Sequence, residues 1–216
     1  MESIKGFIKA IRPALTITLI LMAICGLIYP LFMTGVSQLI FKSQANGNLI
    51  YIDGVAVGSK FVGQDFTEDY FMKCRPSAVH YNTYTINENG KEIYLDGSEF
   101  TGLASGSYNY GPSNPALQER IENNIENFLL LNPEIKREDI PADLMTASGS
   151  GLDPHISLAS AKIQLPAISK ASGLSIKVLE EIVENNTTGK LLGLFGEETV
   201  NVLGVNIDIK ENMENK

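Results

Sequence analysis

Four residues that could do chemistry stand close together in the run TASGSGLDPHIS: Ser148, Ser150, Asp153 and His155. A serine hydrolase needs a hydroxyl held against an imidazole base and a carboxylate that fixes the base's tautomer. Ser150, His155 and Asp153 supply all three types. Their spacing argues against that use. Triad members converge from distant segments, and ASGSG does not match the G-x-S-x-G nucleophile elbow. Asp153 before Pro154 fits a helix cap followed by a first-turn proline. Gly149 and Gly151 fit backbone positions of positive φ. The segment Ser148, Gly149, Ser150, Gly151, Asp153, Pro154 and His155 is therefore expected to be a structural or contact loop rather than a catalytic centre. The other histidine is His80 and the cysteines are Cys25 and Cys74, which poorly supports a zinc site.

A second motif is a decoy. GVAVGSK (54–60) resembles a phosphate-binding loop, but it is one residue short, has Ser before the Lys, and is followed by Phe61 without a helix pattern. No cofactor is expected to be intrinsic to the chain.

The elements that position these residues begin with an anchor. Residues 13–41 contain no Asp, Glu, Lys or Arg, and roughly 20 helical residues cross a bilayer core. A helix is expected over 13–36, with Pro13 in its first turn and Pro30 kinking or ending it. The apolar run is too long for a signal peptide, and Met22 and Ile24 do not suit a lipobox before Cys25. Lys5, Lys9 and Arg12 precede the span, whereas Lys42 is followed by no basic residue before Lys60. The positive-inside rule then puts residues 1–12 in the cytoplasm and 43–216 outside a plasma membrane crossed once. Beyond Lys42 the chain holds 13 basic and 24 acidic residues. That balance argues against nucleic acid or anionic lipid as a partner.

The outer part reads as one α+β domain. Residues 49–52 and 55–57 flank Asp53-Gly54 as a hairpin. A long Tyr-, Asn- and Gly-rich stretch (70–111) follows, with a second hairpin around 87–95. Asn114 caps a helix with Pro115 at its first position and an inward stripe of Leu117, Ile121, Ile125, Phe128 and Leu129. A helix from Pro154 toward Ala171 is expected to kink or break at Pro166 and stop at Gly173. Ser175 caps another. Alternation of Leu203, Val205, Ile207 and Ile209 with Gly204, Asn206 and Asp208 predicts a C-terminal strand.

Taken in order, RPALTITLILMAICGLIYPL (12–31), VGQDFTEDYFMKCRPSA (62–78), GPSNPAL (111–117, with Gly111, Pro112, Asn114 and Pro115), IPADLMTASGSGLDPHIS (140–157) and VNVLGVNI (200–207) resemble the C subunit of the potassium-transporting Kdp ATPase. Relative to that family, Met72-Lys73-Cys74 replaces an aromatic and a glycine, Leu158 and Ser160 stand where Pro and Ala are usual, and 82–102 looks like an insertion. The resemblance implies a non-catalytic subunit whose partners are a channel-like potassium-conducting subunit and a P-type ATPase subunit. ATP and potassium are then handled by the complex. The family is described as a catalytic chaperone that raises ATP affinity. Only about a dozen residues precede the span, which favours a stabilising or entrance-side role with an indirect effect on ATP. The rival readings are a signal-anchored hydrolase using Ser150, His155 and Asp153, and a receptor or adhesion module that works without a membrane partner.

Overall fold

A computed structural model of the chain describes residues 2–215. It divides into two compact units, with the boundary between Leu49 and Ile50. The first holds helix α1 (Glu2–Ala23), a π-helical turn (Ile24–Ile28), helix α2 (Tyr29–Ile40) and the short α3 (Lys42–Ala45). Ile11–Ile40 is long and apolar enough to cross a membrane, and none of its most apolar window is buried. The helix does not stop at Pro30. A proline lacks an N–H and its ring clashes with the carbonyl four residues back. Here the turn before it is widened, so that the Tyr29 N–H donates to Ile24 O five residues back, and the helix resumes. Pro13 lies inside α1 rather than in its first turn.

Apart from its first residue, β1 (Leu49–Ile52) lies in the second unit, where it forms the expected hairpin with β2 (Val55–Ser59). Asp53 and Gly54 both have positive φ, at 49° and 79°, as a two-residue primed turn requires. The GVAVGSK run thus lies largely in β2. β3 (Tyr84–Ile86) and β4 (Glu92–Tyr94) pair antiparallel within the 82–102 stretch. Their hairpin has its own aromatic cluster, with Phe100 at 4.5 Å from Tyr84 and 5.2 Å from Tyr94 between ring centres.

Helix α4 (Pro115–Leu131) starts as its sequence dictates, the Asn114 side chain accepting from the Ala116 N–H. Of its apolar stripe Ile125 alone is fully buried. Ile121, Phe128 and Leu129 pack part-buried with Leu144 and Met145 in a small satellite core.

The main core lies under a three-stranded antiparallel sheet of order β5-β7-β6: β5 (His155–Ser157), β6 (Thr187–Thr188) and β7 (Thr199–Asn201). Ile156 pairs with Val200 at its centre. Helices α5 (Leu158–Ser172), α6 (Ile176–Asn185) and α7 (Val202–Glu214) complete it, and Ile156, Leu165, Leu179, Val183, Val200, Val205 and Ile209 are among its buried members.

Three expectations are corrected here. Pro154 does not open a helix. His155–Ser157 is a strand, and α5 begins after it, capped by Ser157, whose side chain accepts from the Ser160 N–H. Of the kink or break expected at Pro166, the break is absent: α5 runs through Pro166 to its left-handed cap at Gly173, where the sequence placed its stop. The C-terminal segment is a helix, not a strand. Val202, Val205, Asn206 and Ile209 are buried at helical spacing, and Asn201 accepts from the Gly204 N–H as cap. The alternation of apolar and polar residues misleads because the buried face includes Asn206.

Candidate functional site

The segments that carry the sequence motifs meet at 146–155. Arg75 donates from Nε to Thr146 O and from Nη2 to Ala147 O, both at 3.4 Å, and its Nη1 lies 3.8 Å from Asp153 Oδ2. The Ser77 hydroxyl donates to Gly151 O at 2.6 Å and accepts from the Val79 and Tyr81 N–H groups. Tyr81 OH donates to Arg75 O at 2.8 Å and lies 3.3 Å from Asp153 O. Two further strands of chain close on the loop: the Gly63 N–H donates to Leu152 O and the Gly106 N–H to Ser150 O, both at 2.8 Å. The Val202 N–H donates to Pro154 O at 3.0 Å.

Gly151 is needed at its position. Its φ is +67°, and a Cβ there would meet Gly106 O at 2.7 Å and a Val79 methyl at 2.8 Å. Gly149 is different: it is not among the residues of positive φ, and a Cβ there would meet nothing within 4 Å.

Asp153 does not cap a helix. Its Oδ1 accepts from the His155 N–H at 3.0 Å and lies 3.2 Å from His155 Nδ1. The His155 hydrogen bond, with Arg75 nearby, holds the Asp153 carboxyl below its ordinary range. His155 Nε2 faces Asn201 Nδ2 at 3.5 Å. Both ring nitrogens therefore look toward Asp153 and Asn201. The serines are occupied elsewhere: Ser148 Oγ accepts from the Gly151 N–H and Ser150 Oγ from the Leu152 N–H. The structure brings the residue types of a triad into one loop without setting a hydroxyl against the imidazole.

Sequence reasoning missed a second carboxylate. Asp143 accepts from the Ser157 N–H at 2.8 Å, from Ser157 Oγ at 3.2 Å and from Ser160 Oγ at 2.6 Å. Burial works to raise its carboxyl, but the Ser160 and Ser157 bonds outweigh it and the net shift is downward. Also missed was Asn206. It is buried, accepts from the Met72 N–H at 2.7 Å and donates to Met72 O at 2.9 Å. The signal for both lay in the family blocks that contain them. Gly111 and Pro112 lie exposed at the start of α4, where their block supplies the Asn114 cap.

A cleft of about 510 Å³ opens beside the loop, lined by Asp65, Lys73, Arg75, His80 and Asn124 among others. Its volume suits a small molecule. Its cations are engaged, however: Lys73 Nζ donates to Phe66 O and Glu68 O at 2.8 and 2.7 Å, and Arg75 is held as above. Burial lowers the Lys73 pKa and raises that of Asp65.

Among the described residues, one apolar helix long enough to span a membrane, followed by an α+β domain whose motif residues bind one another, defines the class as a membrane-associated α+β protein. Residues 11–211 match the family model described as "KdpC: K+-transporting ATPase, c chain". The chain is 54% identical over 207 residues to the potassium-transporting ATPase KdpC subunit of Clostridium kluyveri, covering 96% of each. It is 54% identical over 202 residues to that of Clostridioides difficile, covering 93% of this chain and 96% of the relative. With the subunit of Caldanaerobacter subterraneus subsp. tengcongensis it shares 42% over 206 residues, 95% of this chain and 97% of the relative. The chain belongs to the KdpC family.

Proposed function

We propose that this chain is a non-catalytic accessory subunit of an ATP-driven potassium import complex, held in the plasma membrane by its one span with the α+β domain outside. Its partners are a potassium-conducting subunit and an ATP-hydrolysing subunit, which handle potassium and ATP. Its role is to stabilise their assembly, and any effect on ATP affinity is transmitted indirectly. The observation that carries this reading is the use of the motif side chains. Arg75, Ser77, Asp153 and His155 are spent on contacts within the domain, to Thr146 O, Gly151 O, Arg75 and Asn201 respectively, which suits a rigid body that other proteins recognise. The relatives named as KdpC subunits of a potassium-transporting ATPase supply the complex.

The test is affinity purification of the full chain from membranes of cells expressing the whole gene set. Recovery of both other subunits, and loss of growth at micromolar potassium on deleting this chain, are expected. Recovery of the chain alone, with growth unaffected by its deletion, overturns the proposal.

A further inference from the structure

The connection between β6 and β7 carries a cluster of exposed apolar side chains. Residues 188–198 are all exposed. Within them Leu191, Leu192, Leu194 and Phe195 are 70%, 83%, 78% and 64% exposed. Four large apolar side chains in five residues, presented to water on one loop, mark an interaction site rather than ordinary surface.

The loop has a built shape. The Leu191 N–H donates to Phe195 O at 2.8 Å and the Phe195 N–H returns to Leu191 O at 3.0 Å. The Gly193 and Leu194 N–H groups donate to Lys190 O and Leu191 O. Leu192 sits at φ 55°, a left-handed conformation that L side chains rarely adopt. The turn thus satisfies these backbone donors internally while throwing leucine side chains outward. Such a knob can enter a dry pocket without stranding these N–H groups.

Charge decides what covers it. The base of the loop carries Lys190, Glu197 and Glu198, with Lys190 Nζ 3.6 Å from Glu197 Oε2. The collar is therefore net acidic, on a domain that is itself strongly acidic. An acidic collar opposes seating against lipid phosphates and favours a socket whose rim is basic. We propose that residues 190–195 form a docking knob that inserts into an apolar, basic-rimmed pocket on another protein subunit of the complex. The identity of that partner rests on the function proposed above.

The experiment uses the full chain in the assembled complex. The first variant is Leu192→Ser with Leu194→Ser and Phe195→Ser. These side chains are exposed, so the chain is expected to keep its wild-type thermal transition and its place in the membrane. Its capacity to bring down the other subunits should fall on the order of tenfold or more. Glu197→Lys with Glu198→Lys should weaken capture in the same direction through the collar alone. A photo-crosslinker attached at Leu192→Cys, in a Cys25→Ser background, should form its adduct with another subunit. Undiminished capture by the triple-serine variant overturns the knob while leaving the proposed function intact. An adduct only with lipid, or only with a second copy of this chain, overturns it as well. Failure of the wild-type chain to capture any subunit overturns the proposed function itself, and the knob with it.

Discussion

The Ser77 hydroxyl donates a 2.6 Å hydrogen bond to the carbonyl of Gly151. This bond joins two motif blocks that lie far apart in sequence, and the same oxygen accepts from the Val79 and Tyr81 N–H groups. Ser77→Ala leaves all three part-buried groups short of a partner. The expected loss of stability is about 1–3 kcal/mol, read as a lower urea midpoint with an unchanged slope for the full chain in detergent.

Gly151 and Gly149 should part company under substitution. Gly151→Val places a β-branched residue at φ +67° with its Cβ 2.7 Å from the Gly106 carbonyl oxygen, so folded protein should be lost from the membrane fraction. Gly149→Ala meets nothing within 4 Å and should accumulate like wild type. Equal accumulation of the two variants would remove the close packing of Gly106 against Gly151 as the reason for this glycine.

Local chemistry made much of this fold legible. Asn114 and Ser175 cap the helices that they precede, and the Asp53-Gly54 turn closes its hairpin. These features are decided within a few residues. The errors arose where distant packing decides. Asp153-Pro154 has the residue types of a helix start, yet the pairing of His155 with Asn201 draws the next residues into a strand. Leu203 to Ile209 alternate like a strand, yet Asn206 turns inward because the Met72 backbone needs its amide. The loop around Gly151 was legible as structural, but Arg75, Ser77 and Tyr81, which hold it, are separated from it by a long stretch of chain.

The inward turn of Asn206 can be tested by substitution. Asn206→Leu keeps a similar volume on the buried face of α7 but removes both hydrogen bonds to Met72. It leaves a buried N–H and a buried carbonyl unpaired, at an expected cost of about 2–5 kcal/mol. A variant as stable as wild type would mean that the pair contributes nothing beyond its volume.

Acid sensitivity should trace in part to Asp143. Its carboxyl lies below the ordinary value of 3.8. A lowered carboxylate adds stability that is complete above its unfolded value and is lost as pH falls through the folded one. Asp153 acts in the same sense, while Asp65, raised by burial, acts in the opposite one. Ser160→Ala removes the 2.6 Å donor to Asp143. It should cost about 1–3 kcal/mol near pH 7, with the difference from wild type shrinking below about pH 4 as Asp143 is protonated in both. A difference constant from pH 7 to pH 2 would show that the serine acts only through packing.

Orientation across the membrane can be read from a single introduced thiol. Lys5 and Lys9 lie before the apolar helix and Arg12 lies at its N-terminal end, so the domain is expected outside. Lys177 is exposed on α6, which makes Lys177→Cys a suitable reporter. The native cysteines interfere little. Cys25 lies within the apolar Ile11–Ile40 helix, and burial pushes the Cys74 thiol up to about 12, which keeps it protonated and unreactive. A membrane-impermeant maleimide should therefore label Lys177→Cys in intact cells or spheroplasts and leave the wild-type chain nearly unlabelled. Labelling that appears only after lysis would place the domain in the cytoplasm. It would then share a compartment with ATP, and the indirect route proposed for any effect on ATP affinity would have to give way to direct contact.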